Sequence, residues 1–134
     1  MARVFEFQTD HFGVDNEPEN PINPIGGYSL LKWLVGQDGA RLVESAEPEP
    51  EDWGWYVELF SGQQRYLVGC SVDSESERDG RYRCVIQVEK QRGLLDVLFR
   101  RNKLTGDDAV CRAIRDLLRS SPRTSNFEDV GHDG

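Results

Sequence analysis

The sequence predicts an α+β domain: an antiparallel sheet of four to five strands, including a three-stranded meander, with about three helices packed on one face. Three observations carry this. Apolar and polar residues alternate at 53–59, 66–72 and 82–88; the gaps between these runs are short and contain glycine; and beyond residue 93 the apolar spacing changes from two to the three-and-four of a helix. A chain of 134 residues makes one domain the natural count. Its boundaries are expected at 1–121, with 122–134 as a flexible C-terminal tail, because "RTSNFEDVGHDG" has no period.

Residues 4–12 alternate and are rich in aromatic and branched side chains, which predicts a first strand. A proline-bearing loop follows. Asn23 before Pro24 has the form of a helix start, but Gly26 and Gly27 would each weaken that turn by roughly 1 kcal/mol. The helix is therefore expected over 27–36, burying Leu30, Leu31 and Leu34 with Trp33 at the border. Residues 41–45 suit one more short strand.

In the meander, Trp53, Trp55, Val57 and Leu59 are expected on one face, and Tyr66, Val68, Cys70 and Val72 on the same face of the next strand. Leu59 opposite Tyr66 leaves Gly62-Gln63 as a two-residue loop with the chemistry of a type II′ turn. For the third strand, with Tyr82, Cys84, Ile86 and Val88, keeping faces matched requires a three-residue loop Arg78-Asp79-Gly80 and Val72 opposite Ile86. A two-residue Asp79-Gly80 turn would mix the faces. Leu94, Leu95, Leu98 and Phe99 then repeat at helical spacing until Asn102, a residue able to end a helix in the left-handed conformation. Thr105 and Asp108 signal the start of a last helix, with Val110, Cys111, Ile114, Leu117 and Leu118 buried and Arg112, Arg115 and Arg119 outward.

Hydrophobic residues at 37% and charged ones at 30% fit a folded domain, and the net charge of −8 disfavours a general binder of nucleic acid or anionic membranes. No apolar run approaches the ~18 residues of a membrane span, and MARVFEF lacks the layout of a signal peptide. A cytoplasmic location is expected. Cys70, Cys84 and Cys111 lie within apolar patterns rather than in CxxC spacing, as reduced core residues do. The two histidines, His11 and His132, have no partner at a catalytic or metal-binding spacing. Gly26-Gly27 is not a phosphate loop. No catalytic residue, metal ligand or cofactor is expected.

Charge is uneven. Residues 1–60 hold three basic against twelve acidic side chains, and 61–134 hold thirteen against twelve. In "EPEPEDWGWYVEL", residues 47–59, Pro48 and Pro50 suggest an extended prong displaying Glu47, Glu49, Glu51 and Asp52 to a partner. Tyr56 and Phe60, opposite the tryptophan face, would supply apolar anchors beside Val85. Trp53 and Trp55 suit the core, or else an aromatic platform for a ligand. Residues 90–119 carry eight basic against four acidic side chains, with Arg92, Arg100, Arg101 and Lys103 able to bind phosphate, or to serve helix ends and internal carboxylates. The functional expectation is a small interaction protein, an inhibitor or immunity-type antagonist that binds a basic protein through its acidic surface. The alternative is a module binding nucleic acid or phosphate ligands through the basic patch at 90–103.

Overall fold

Alternation along three central strands places Val57, Leu59, Tyr66, Val68, Cys70, Val72, Cys84, Ile86 and Val88 in a single core, each all but removed from solvent. Around them a computed structural model describes residues 3–10, 18–23, 25–36, 43–44, 47–78 and 80–132. Within these, the chain runs β1 (Arg3–Thr9), α1 (Tyr28–Val35), β2 (Val43–Glu44), β3 (Glu49–Glu51), β4 (Gly54–Ser61), β5 (Gln64–Arg78), β6 (Arg81–Lys90), α2 (Leu94–Leu98), α3 (Ala109–Ser120) and β7 (Thr124–His132). Six strands lie side by side in the order β2-β4-β5-β6-β1-β7, and β3 shares the edge of β4 with β2. All pairings are antiparallel. The α+β class holds, with a larger sheet than the four to five strands expected.

The β4–β5 hairpin has the anticipated register, Leu59 opposite Tyr66 and Val57 opposite Val68. Gly62 occupies its turn at φ +63, a conformation that suits the first central position of a type II′ turn. The β5–β6 hairpin differs from expectation. Val72 faces Cys84 rather than Ile86, and Arg78 pairs with Arg81, so only two residues separate the strand ends. Asp79 itself lies outside the described residues. The rejected two-residue connection is accommodated because β5 advances five positions from Asp73 to Arg78 while β6 advances two, and this irregularity restores matching faces.

One layer of helices covers the inner face. Helix α1 starts after Gly27 and ends at Gly36 as expected, and buries Leu30, Leu31 and Leu34. The start at Asn23-Pro24 does not form: Asn23 lies in a bend outside any helix, and Pro24 is outside the described residues. Helix α3 buries Val110, Cys111, Ile114 and Leu118, whereas Leu117 is only half-buried. All three thiols are free and buried, and burial pushes Cys111 up to about 11. Strand β1 ends at Thr9; residues 11 and 12 are outside the described residues, as are 41, 42 and 45 around the short strand β2.

The largest departure is at the C-terminus. The segment read as a tail forms β7, paired with β1. Register shifts between Val4 and Phe5 and between Glu6 and Gln8 break its alternation, which is why no period-two pattern is visible. Phe127 stacks on Phe5 at 5.9 Å, and the Arg119 guanidinium sits over the same ring. Arg115, expected to face outward, instead approaches Asp129 at 3.4 Å and donates to the Gly106 carbonyl, while Arg3 reaches Asp129 at 3.0 Å. Burial pushes the Asp129 carboxyl up, but the Arg3 hydrogen bond and neighbouring positive charge hold it below its ordinary value.

A second buried joint ties α3 to the meander. Lys90 Nζ lies 2.8 Å from Asp108 Oδ2, with side chains only 8% and 9% exposed, and the Tyr66 hydroxyl donates to the same oxygen at 2.6 Å. The other oxygen accepts from the Thr105 N–H and hydroxyl. Burial raises the Asp108 carboxyl, yet Lys90, Tyr66 and Thr105 together hold it below the ordinary carboxylate range.

Two outcomes follow. Deleting residues 123–134 uncovers Phe5 and strips Arg3 and Arg115 of their carboxylate, so the shortened chain should lose about 3 kcal/mol or more in urea unfolding; an unchanged midpoint would show β7 to be dispensable. Because Asp108 is depressed, its contribution is complete above the unfolded pKa and lost as pH falls through the folded one. Wild-type stability should therefore decline below about pH 4. Asp108→Asn should start about 3 kcal/mol lower at neutral pH, with Lys90 buried unpaired, and show a shallower acid limb.

Candidate functional site

With α1 and α3 on the inner face, the even residues of β4 and the odd residues of β5 and β6 form an outer face on which none of the described helices packs. Its central row is Tyr56, Gly69 and Gln87, and the next is Glu58, Leu67 and Glu89. Trp53 joins them. The expected strand start at Trp53 is instead a turn, Asp52-Trp53, linking β3 to β4. Trp53 thereby leaves the alternation that buries Trp55 and lies over the outer face, 37% exposed. A Cβ at position 69 would overlap the indole, so glycine there is what lets the ring lie against the sheet.

Long-range side chains fix this turn. Asn20 is buried and its amide donates to the carbonyls of Glu51 and Gly54 at 3.0 and 2.9 Å. The Asn23 amide donates to the Asp52 carbonyl at 2.8 Å, and the Ser71 hydroxyl to that of Trp53 at 2.6 Å. Every carbonyl from residue 51 to 54 is thus held by a side chain distant in sequence. Asn20 is held in turn, its oxygen accepting the N–H groups of Ile22 and Asn23. Four hydrogen bonds thus hold the backbone of the turn that carries the indole, while the ring itself lies against Gly69.

The result is a cavity of about 350 Å³ lined by Glu51, Trp53, Tyr56, Glu58, Leu67, Gly69, Gln87 and Glu89. Two aromatic rings and three carboxylates meet there. Arg65 lies 3.9 Å from Glu58. Such a surface can take an ammonium or guanidinium group, which gains from the π-face of an indole and from carboxylates together.

The acidic segment is placed differently from the prong expected. Glu49–Glu51 is a short strand on β4, and Pro48 is buried. Glu47 accepts from Lys32 at 2.7 Å and from the Tyr28 hydroxyl at 2.8 Å, and these bonds hold its carboxyl below the ordinary range. Glu49 accepts from the Tyr56 hydroxyl at 2.7 Å, which with burial raises the phenol. Asp52 is exposed in the turn, and Phe60 and Val85 are half-buried. Of the partner-contact residues expected from the sequence, Glu51 and Tyr56 line the cavity; Glu47, Glu49, Asp52 and Phe60 do not. Trp55 belongs to the core, edge-on to Tyr28 and donating from its indole to the Ile25 carbonyl. Trp53, read from the sequence as core or else as an aromatic platform, lines the cavity, whereas Glu58, Leu67 and Glu89 were not singled out.

The basic candidates gather around α2. Arg92 is turned inward: its guanidinium donates to the Arg101 carbonyl at 2.8 and 3.1 Å and to the Asp96 carbonyl at 2.8 Å. Arg101 lies 3.6 Å from Asp96, while Arg100 and Lys103 are exposed. A cleft of about 310 Å³ includes Arg92, Lys103 and Lys90, whose charge already faces Asp108.

No protein-family model matches the chain, and neither a curated protein nor a solved structure is significantly similar to it. None of the described helices is long and apolar enough to cross a membrane.

Adding a methyl at position 69 tests the seat of the indole. Gly69→Ala should displace Trp53, raising its quenching by acrylamide relative to a Trp53→Phe control, with a loss of about 1–2 kcal/mol. Asn20→Ala should cost about 1–3 kcal/mol by stranding two carbonyls. Quenching of Trp53 unaltered in Gly69→Ala would mean that the ring does not rest there.

Proposed function

We propose that this protein binds a basic protein partner through the outer face of its sheet and acts as an inhibitor or immunity-type antagonist of that partner. The observation that carries the reading is Trp53, seated on Gly69 by a turn whose four carbonyls are all held, with Tyr56 beside it and Glu51, Glu58 and Glu89 around it. A pre-ordered aromatic ring among carboxylates favours a lysine or arginine side chain over an anion or a neutral sugar. Leu67 and the rings supply the apolar part of the contact. The remaining acidic charge of the chain steers association rather than forming the contact itself. A cytoplasmic setting suits this role, since three buried thiols stay reduced there.

The reading is tested with peptides of defined charge. Oligolysine and oligoarginine should quench Trp53 fluorescence saturably, more weakly as salt rises, whereas oligoglutamate should not. Replacing Glu51, Glu58 and Glu89 by glutamine should weaken binding about tenfold or more at low ionic strength with little change in stability. Trp53→Ala should cost about 2 kcal/mol of binding. Equal affinity for oligoglutamate, or an unaffected glutamine variant, would refute the cation-binding face.

A further inference from the structure

Helix α2 carries large apolar side chains that the fold does not cover. Leu94 is 82% exposed, Leu98 67% and Phe99 63%, and Leu95 and Val97 are also exposed. The expected helix over this stretch is present but does not pack on the sheet: it has five residues and none of them is buried. Looseness is not the reason. Arg92 grips the carbonyls of Asp96 and Arg101, Asn102 donates to the Gln64 side chain, Gln64 in turn donates to the Gln91 carbonyl, and Leu104 anchors the following segment in the core. The chain therefore builds a fixed apolar knob and leaves it facing solvent, the condition under which an exposed patch marks a contact surface. Arg100, Arg101 and Lys103 stand exposed just beyond it.

The complement of that knob is on the same molecule. The Trp53 cavity is concave, partly apolar and rimmed by Glu51, Glu58 and Glu89, whereas the knob is exposed, apolar and followed by Arg100, Arg101 and Lys103, of which Arg101 also lies 3.6 Å from Asp96. We propose that the α2 knob of one copy seats in the Trp53 cavity of a second copy, so that the protein associates with itself through unlike surfaces. This inference rests on the cavity being a cation-receiving face. Knob against knob would bring Arg100, Arg101 and Lys103 toward their own counterparts across a two-fold axis, and like charges oppose that arrangement. Knob against cavity pairs opposite charges and buries apolar surface on both sides. Two such contacts made reciprocally close a dimer, and contacts made one at a time give an open series. Self-association and partner binding then compete for one surface.

Sedimentation velocity from micromolar to near-millimolar protein decides this, with two variants whose changes are at exposed or half-buried outer-surface positions. In the knob variant, Leu98→Asp is combined with Phe99→Asp; in the cavity variant, Glu58→Lys is combined with Glu89→Lys. Wild type should show concentration-dependent association that weakens with salt. Each variant alone should be monomeric, and an equimolar mixture should recover a species of twice the monomer mass, because one intact knob meets one intact cavity. Circular dichroism and slow reaction of the three cysteines show that both variants are folded. A wild type that stays monomeric throughout, a knob variant that still associates, or a mixture without the dimer would each overturn the proposal. Oligolysine titration of the knob variant separates the two readings: retained binding leaves the cavity intact as a cation site even where self-association fails, and lost binding removes that reading too.

Discussion

The molecule is governed by residue parity in β4, β5 and β6. Once Val57, Val68 and Val88 share a row, every second residue of three strands is committed to the core, and every intervening residue to the other face. Helices α1 and α3 follow the apolar side because their own stripes need burial there. The outer face is then left to Tyr56, Glu58, Leu67, Gln87 and Glu89. The strength of this constraint shows at the β5–β6 connection, where a tight turn alone would have mixed the faces. The chain absorbs three extra residues in β5 rather than yield the pattern.

Turn Asp52-Trp53 shows how a local departure from that rule makes a site. A tryptophan that continued the alternation would have joined Trp55 beneath α1. Displaced by one turn, it lies on the opposite face, where the missing side chain of Gly69 admits it. Hydrogen bonds from Asn20, Asn23 and Ser71 then make that placement specific, since carbonyls in a turn have no ladder partners of their own. The acidic residues divide in the same way. Glu47 and Glu49 tie tyrosines and a lysine into the framework, whereas Glu51, Glu58 and Glu89 border the indole.

Buried charge joins the remaining parts. Asp108 collects Lys90 and Tyr66 and so brings the start of α3 to the end of the meander, and Asp129 collects Arg3 and Arg115 and so brings β7 to both β1 and α3. These carboxylates engage Lys90 and Arg115 from the basic third of the chain, and backbone carbonyls hold Arg92. Part of the positive charge thus closes the fold, while Arg100, Arg101, Lys103, Arg112 and Arg119 of that third stay exposed.

The sequence by itself determined the α+β class, the parity of the meander, the Gly62 turn, the limits of α1, the core face of α3 and the burial of all three cysteines. Each depends on a period of two or of three-and-four, or on the φ requirement of one glycine, and such signals are local. Tertiary structure alone decided the rest. Strand β7 carries no period because register shifts interrupt its pairing with β1. The helical spacing of Leu94, Leu95, Leu98 and Phe99 was legible but not their exposure, because spacing describes a helix and says nothing of whether a surface lies opposite. The seat of Trp53 requires residues 20, 23, 53 and 69 to 71 to meet, and Asp108 requires residues 66 and 90. Contacts between distant positions are set by which strands become neighbours, and no window along the chain contains that information.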